Sequence, residues 1–210
     1  MQKIDTVLFD FGGVLVPDAM ETILFTPREG LVDQLGLDKE KYAVVTIHRA
    51  ENTDNINVLK DLIDSLNELS KDIALVFPIH PRTNKILEAN KININSRIKV
   101  TEPLGYLDFI KLMDNSLFIM TDSGGIQEEA AALDIPCLVL RNETEWIYLT
   151  SIGKNLLLGV NKKDIVSRTK LLLKNMEQIK RMKEIKFPVK GNVANNVVEI
   201  FKNLKNANQK

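Results

Sequence analysis

Leu117-Phe118-Ile119-Met120-Thr121-Asp122-Ser123-Gly124-Gly125-Ile126-Gln127-Glu128-Glu129-Ala130 is the stretch that decides the fold. Its first part is an apolar run of the length of a buried strand, and its second part is a run of helix formers ending near Leu133. Between them Ser123 is a suitable N-cap, and two glycines let a ligand approach the backbone without meeting a Cβ. The first N–H groups of such a helix have no partner inside it, and the helix dipole favours negative charge beside them. Strand, glycine turn and helix together predict an anion site. Glu129 lies four residues after Gly125, on the same helix face about one turn deeper. A carboxylate there repels a phosphate but accepts hydrogen bonds from a sugar diol, so the pair points to a nucleotide or nucleotide sugar. The plainer alternative is a structural strand–helix turn whose glutamates serve only the dipole.

Outward from this segment, short β-branched runs alternate with amphipathic stretches. Strands are predicted over 43–48, 73–79, 98–100, 117–121, 136–140 and 155–159. Between the first two, Ile56, Leu59, Ile63, Leu66 and Leu69 recur at helical spacing, and further helices are predicted over 85–90, 106–114, 126–133 and 164–173. Strands buried on both faces and alternating with helices imply an α/β fold with a doubly wound parallel sheet. Ligands collect at the carboxyl ends of such strands. His48, His80 and Ser123 each fall just past a strand end and are expected to face one crevice. Past residue 173 the chain changes character. A lysine-rich amphipathic stretch over 174–186 gives way to a break at Pro188 and Gly191, and a last helix is predicted over 192–204.

A chain of 210 residues, 44% of them hydrophobic, can bury one sizeable core. Lys+Arg and Asp+Glu are equal at 28 each, so the balance points to neither a nucleic-acid nor a membrane surface. The single cysteine, Cys137, sits in an apolar run and reads as a core residue in a reducing compartment, with no disulfide framework and no metal cluster. No apolar stretch approaches the ~20 residues that span a bilayer. Asp5 and Asp10 interrupt any signal-peptide core, and a cytoplasmic location is expected.

The quoted segment resembles the signature of the non-hydrolysing UDP-N-acetylglucosamine 2-epimerases, and other motifs repeat that resemblance in order. Val44-Val45-Thr46-Ile47-His48-Arg49-Ala50-Glu51-Asn52 is similar to that family's His-Arg-x-Glu-Asn strand end. Phe77-Pro78-Ile79-His80-Pro81-Arg82-Thr83 resembles its next strand end. Glu102-Pro103-Leu104-Gly105-Tyr106-Leu107-Asp108-Phe109 resembles its base-facing loop, and Arg141-Asn142-Glu143-Thr144-Glu145-Trp146 its Arg-x-x-Thr-Glu segment. The resemblance covers roughly residues 18–204. It implies the Rossmann-like C-terminal half of a two-lobed, GT-B-like architecture that binds UDP or a UDP-N-acetylhexosamine without a cofactor. It further implies interconversion of UDP-GlcNAc and UDP-ManNAc by elimination and re-addition of UDP. Carried onto this chain, it makes His48 the active-site histidine that reaches the phosphates. Ser123, Gly124 and Gly125 become the diphosphate seat, Glu129 the ribose partner and Phe109 the platform for uracil. Arg49 either assists or structures its turn, His80 either contacts substrate or shapes a rigid proline turn, and Phe109 can equally be core. Arg141 either reaches a phosphate or pairs with Glu145. Glu51 and Asn52 are expected to cap the following helix, Asn52 as N-cap before Ile56. Two positions depart from the family pattern: Ala50 stands where many members have a second arginine, and Ile147-Tyr148 replaces an acidic residue.

No counterpart of the family's N-terminal domain is expected in this sequence, since only about fifteen residues precede the recognisable segment where that family places a domain of ~100–200 residues. The expected organisation is therefore an N-terminal strand segment over 1–17, a UDP-binding domain over 18–190 and a crossing helix with tail over 191–210. Thr6-Val7-Leu8-Phe9-Asp10-Phe11-Gly12-Gly13-Val14-Leu15-Val16 instead resembles the first motif of haloacid-dehalogenase-type phosphatases, with Asp10 as nucleophile. The later lysine and the magnesium-binding acids cannot be placed, and phosphoryl transfer needs that metal. Three functions remain open: an epimerase-type nucleotide-sugar domain that is inactive without a complementing N-terminal half, a non-catalytic module that covers its orphaned face as a homodimer, and a glycosyltransferase-like UDP-binding half.

Overall fold

A computed structural model describes residues 31–186. The expectations for residues 1–17, Asp10 among them, and for the last helix lie outside the described residues. Within them the chain runs α1 (Leu31–Gln34), β1 (Tyr42–Thr46), α2 (Ala50–Thr53), α3 (Ile56–Leu69), β2 (Ala74–Pro78), α4 (Pro81–Ala89), β3 (Ile98–Thr101) and α5 (Tyr106–Asp114). It continues with β4 (Phe118–Thr121), α6 (Gly124–Ala132), β5 (Cys137–Val139), α7 (Ile147–Ser151), β6 (Asn155–Leu157), α8 (Lys162–Leu173) and α9 (Met176–Glu184). The six strands form one parallel sheet in the order β3-β2-β1-β4-β5-β6. The expected α/β doubly wound sheet is the architecture observed.

Every residue of β1 and β4 is buried, because both strands lie inside the sheet with helices on either face. The pleat sorts their side chains. Ala43, Val45 and Ile47 join Leu59, Leu62, Ile63 and Leu66 of α3 and Ile165 and Leu172 of α8 in one core. Tyr42, Val44, Ile119 and Cys137 join Leu112 and Met113 of α5 and Ala130 of α6 in the other. Lys170 of α8 ties the first layer across to α3 through Glu68 (3.0 Å) and Asp72 (3.2 Å).

Helix starts follow local side-chain chemistry, and here three expectations are corrected. The N-cap of α3 is Asn55, whose side chain accepts from Asn57 N–H and Val58 N–H. Asn52 is buried inside the preceding short helix and Glu51 pairs elsewhere, so neither caps α3. α4 begins at Pro81, four residues earlier than predicted, because Pro at N1 has no N–H to leave unpaired and His80 Nδ1 accepts from Arg82 N–H (3.2 Å). Ser123 stands at the N-cap position of α6, but its side chain makes no capping bond; its own N–H donates to Thr121 Oγ1 (2.9 Å).

The last described turn is held from below. Lys154 is fully buried and donates to Asp134 Oδ1 (2.9 Å) and to the carbonyls of Lys183 and Ile185 at the end of α9. Burial depresses its ammonium pKa, and Asp134 works against that depression.

Candidate functional site

The sheet order reverses between β1 and β4, and the loops that follow these two strands leave in opposite directions. Thr46 and Thr121, the last residues of each, are joined hydroxyl to hydroxyl at 2.6 Å. Just beyond them Asp122 is completely buried. Its carboxylate accepts from the backbone N–H of His48 (3.0 Å) and of Arg49 (2.9 Å), and from Asn52 Nδ2 (3.1 Å). Asn52 in turn donates to the Leu140 carbonyl at the end of β5 (3.0 Å). One carboxylate thus joins the ends of three strands and fixes the turn that presents His48, whose Nδ1 lies 3.6 Å from Asp122 Oδ1.

α6 starts directly above this knot. Gly124, its first residue, has no room for a side chain, since a Cβ would collide with Glu145 Oε1 and approach Arg49 Nη2 to 3.2 Å. Behind the glycines Gln127 is buried, donating to the Ser123 carbonyl (3.2 Å) and accepting from Thr144 Oγ1 (2.7 Å). Thr144 also accepts from Trp146 N–H (3.1 Å), which shapes the 141–146 loop. That loop carries Arg141, nearly buried, whose Nε donates to Glu51 (2.7 Å) and whose Nη1 donates to Glu145 Oε2 (2.5 Å). Arg49 Nη2 donates to the other oxygen of Glu145 (3.0 Å). Of the alternatives for Arg141, the structure shows the pairing with Glu145, and it adds Glu51. Arg49 structures its turn through its backbone N–H to Asp122, and its side chain pairs with Glu145.

One turn deeper on α6, Glu129 is buried and accepts from Tyr106 Oη at 3.2 Å. Burial raises its carboxyl pKa to about 7, the Tyr106 bond opposes that rise and the neighbouring Glu128 adds to it. Glu128 is also raised to about 7, by burial and then by the charge of Glu145. The same burial, reinforced by Glu129, drives the Tyr106 phenol well above its ordinary range.

At the carboxyl ends of β1 and β2 lies a cavity of about 160 Å³, lined by residues that include Thr46, His48, Pro78, His80, Leu104 and Phe109. His48 and His80 face one another across it with ring centroids 6.3 Å apart. Phe109 lines it while also packing on the second core. His80 is both cavity wall and helix cap. The site residues expected from sequence therefore lie on the loops and helices that follow β1, β2, β3, β4 and β5. Asp122, Tyr106 and Gln127 are additions. Asp122 sat inside the quoted motif, but its partners lie seventy or more positions away in sequence and left no local signal. Among the described residues no group of three His, Cys, Asp or Glu side chains could hold a metal ion, and no helix is long and apolar enough to cross a membrane.

Known proteins share this fold. The family model described as UDP-N-acetylglucosamine 2-epimerase matches residues 9–202. The UDP-N-acetylglucosamine 2-epimerase homolog of Methanococcus maripaludis is 36% identical over 212 aligned residues, which cover 97% of this chain and 57% of that protein. The Methanocaldococcus jannaschii UDP-GlcNAc 2-epimerase, solved with UDP-GlcNAc and UDP, matches with a TM-score of 0.73 and 33% identity over 89% of this chain and 52% of its own. The S. aureus MnaA–UDP structure gives a TM-score of 0.77 and 29% identity over 90% and 51%. This chain spans about half the length of these relatives. With the glycine turn, the paired strand-end histidines and the Arg-x-x-Thr-Glu loop gathered at one crevice, the chain belongs to the UDP-N-acetylglucosamine 2-epimerase family.

Proposed function

We propose that residues 18–190 form the nucleotide-binding half of a UDP-N-acetylglucosamine 2-epimerase-type site and that turnover requires a complementing N-terminal lobe. The observation that carries this reading is the bare Gly124 at the start of α6, set at the sheet's switch point with Glu129 one turn below it. In this reading the Ser123 hydroxyl and the backbone N–H groups of the Ser123-Gly124-Gly125 turn hold the diphosphate. His48 reaches the phosphates on the other side. Glu129 accepts from the ribose hydroxyls, with Tyr106 fixing its carboxylate, and Phe109 packs on uracil in the small cavity.

The chemistry asked of this half is leaving-group stabilisation. The C2 proton of an N-acetylhexosamine nucleotide is not adjacent to a carbonyl, so direct enolisation is unavailable. A base from the other lobe takes the C2 proton, the C1–O bond breaks, and UDP departs with the bonding electrons to leave a glycal. Re-addition of UDP with protonation of the opposite face of C2 gives the epimer. Charge grows on the pyrophosphate as it leaves, and preorganised N–H donors and a histidine lower the barrier by stabilising that charge.

Calorimetric titration of the full chain with UDP tests this. Ser123→Ala and Glu129→Ala are each expected to weaken UDP binding by roughly 1–3 kcal/mol, the usual loss for a hydrogen bond to a charged or buried group. Unchanged affinity in both variants would remove the nucleotide assignment.

A further inference from the structure

The seat that the proposed function reserves for a diphosphate already has an anion beside it. Glu145 Oε1 lies so near the Gly124 Cα that a Cβ there would overlap it. Its two oxygens are split between two guanidiniums, Oε1 with Arg49 Nη2 (3.0 Å) and Oε2 with Arg141 Nη1 (2.5 Å). A planar two-oxygen anion at a helix start, gripped by two arginines, reproduces what those groups offer a phosphate. Burial works against the charge on Glu145, but its own backbone N–H, Arg141 and Arg49 outweigh it and hold the carboxyl below its usual range. The group is thus an anion wherever nucleotides are.

The members of this network differ in freedom. The Arg141 side chain is 8% exposed and keeps a second partner in Glu51, so it is anchored with or without Glu145. The Glu145 side chain is 44% exposed and sits on a loop, so it can rotate into water while the guanidiniums stay. Its position also strains its surroundings, since its charge is one of the two causes that raise the Glu128 carboxyl.

We propose that Glu145 is a resident anion that holds the diphosphate seat in the unliganded chain, and that an incoming nucleoside diphosphate displaces it and takes over Arg49 and Arg141. This rests on the proposed function and adds its regulation. The two guanidiniums and the helix start never stand bare, and a ligand must bring enough negative charge to replace the carboxylate. Uridine alone does not, so the seat discriminates against the bare nucleoside. Apparent affinity for UDP is then reduced by the fraction of time that the seat is filled.

The test is titration of the full chain and of two variants with UDP and with uridine. Glu145→Gln removes the competing charge, and Glu145→Asp keeps the charge but draws it back from Gly124. Both are expected to bind UDP roughly three- to tenfold more tightly, the gain when a seat free only a tenth to a third of the time becomes free throughout, with uridine affinity unchanged. Trp146, the only tryptophan of the chain, adjoins Glu145 and supplies a second signal. Its emission should change with UDP and stay constant with uridine in the parent chain. If the parent binds UDP but the Asp variant binds no more tightly, the resident-anion proposal falls and the nucleotide site stands. A gain confined to the Gln variant would show general charge relief and would equally overturn it. Failure of the parent to bind UDP sinks both.

Discussion

Gly124 shows how one position can serve function without serving stability. Alanine is the better helix former by up to about 1 kcal/mol, and the atom a new Cβ would strike is the far end of the flexible Glu145 side chain. Gly124→Ala is therefore expected to shift the urea midpoint by no more than about 1 kcal/mol of stability, while UDP binding by calorimetry is lost because the methyl fills the seat. Glu129 adds a pH signature. Its folded-state pKa of about 7 lies above the unfolded value, so its contribution to stability is complete below the unfolded pKa and is lost as pH rises through about 7. Binding runs the other way, since a ribose diol needs the ionised carboxylate as acceptor. UDP affinity should fall as pH drops from 8 to 6 in the parent, more steeply than in Glu129→Gln, when titrations at the two pH values are compared. These two residues were legible in the sequence because glycine next to a strand end and a carboxylate one turn on are local patterns. Asp122 was not, and Glu145 was legible only as a partner of Arg141, since their other work is done with His48, Arg49 and Asn52, which only the folded sheet brings near.

At the scale of elements, the periodic helices were legible and their ends were not. The stripe Leu59, Ile63, Leu66 and Leu69 marks α3 without ambiguity, yet both Asn52 and Asn55 offer the same capping chemistry and the choice depends on Asp122 claiming Asn52. Lys154 illustrates the same blindness, because nothing near it in sequence predicts full burial. It supplies hydrogen bonds to the carbonyls of Lys183 and Ile185 and an ion pair to Asp134. Removing it strands those backbone acceptors while Asp134 keeps Lys186, so Lys154→Met is expected to cost about 1–3 kcal/mol, the scale for leaving buried acceptors unpaired. Amide hydrogen exchange should locate the damage, with protection lost first across α9 and retained in β1 and β4.

For the whole molecule, alternation of strands and helices was enough to predict a parallel doubly wound sheet, and hence a crevice at the strands' carboxyl ends. It was not enough to order the strands, since each crossover can place the next strand on either side. The observed order puts β1 and β4 side by side at the centre, and that adjacency is what joins the His48 turn to the Ser123 turn. The same centrality has a use outside binding. Cys137, the only cysteine of the chain, opens β5 between β4 and β6, fully buried, and burial pushes its thiol far above the range where a thiolate forms. In native buffer an aromatic disulfide reagent should leave it untouched for as long as the sheet stays closed, and in denaturant it should label at one equivalent. The chain therefore contains its own stopwatch: the rate at which this sulfur colours a reagent measures how often the middle of the sheet comes apart.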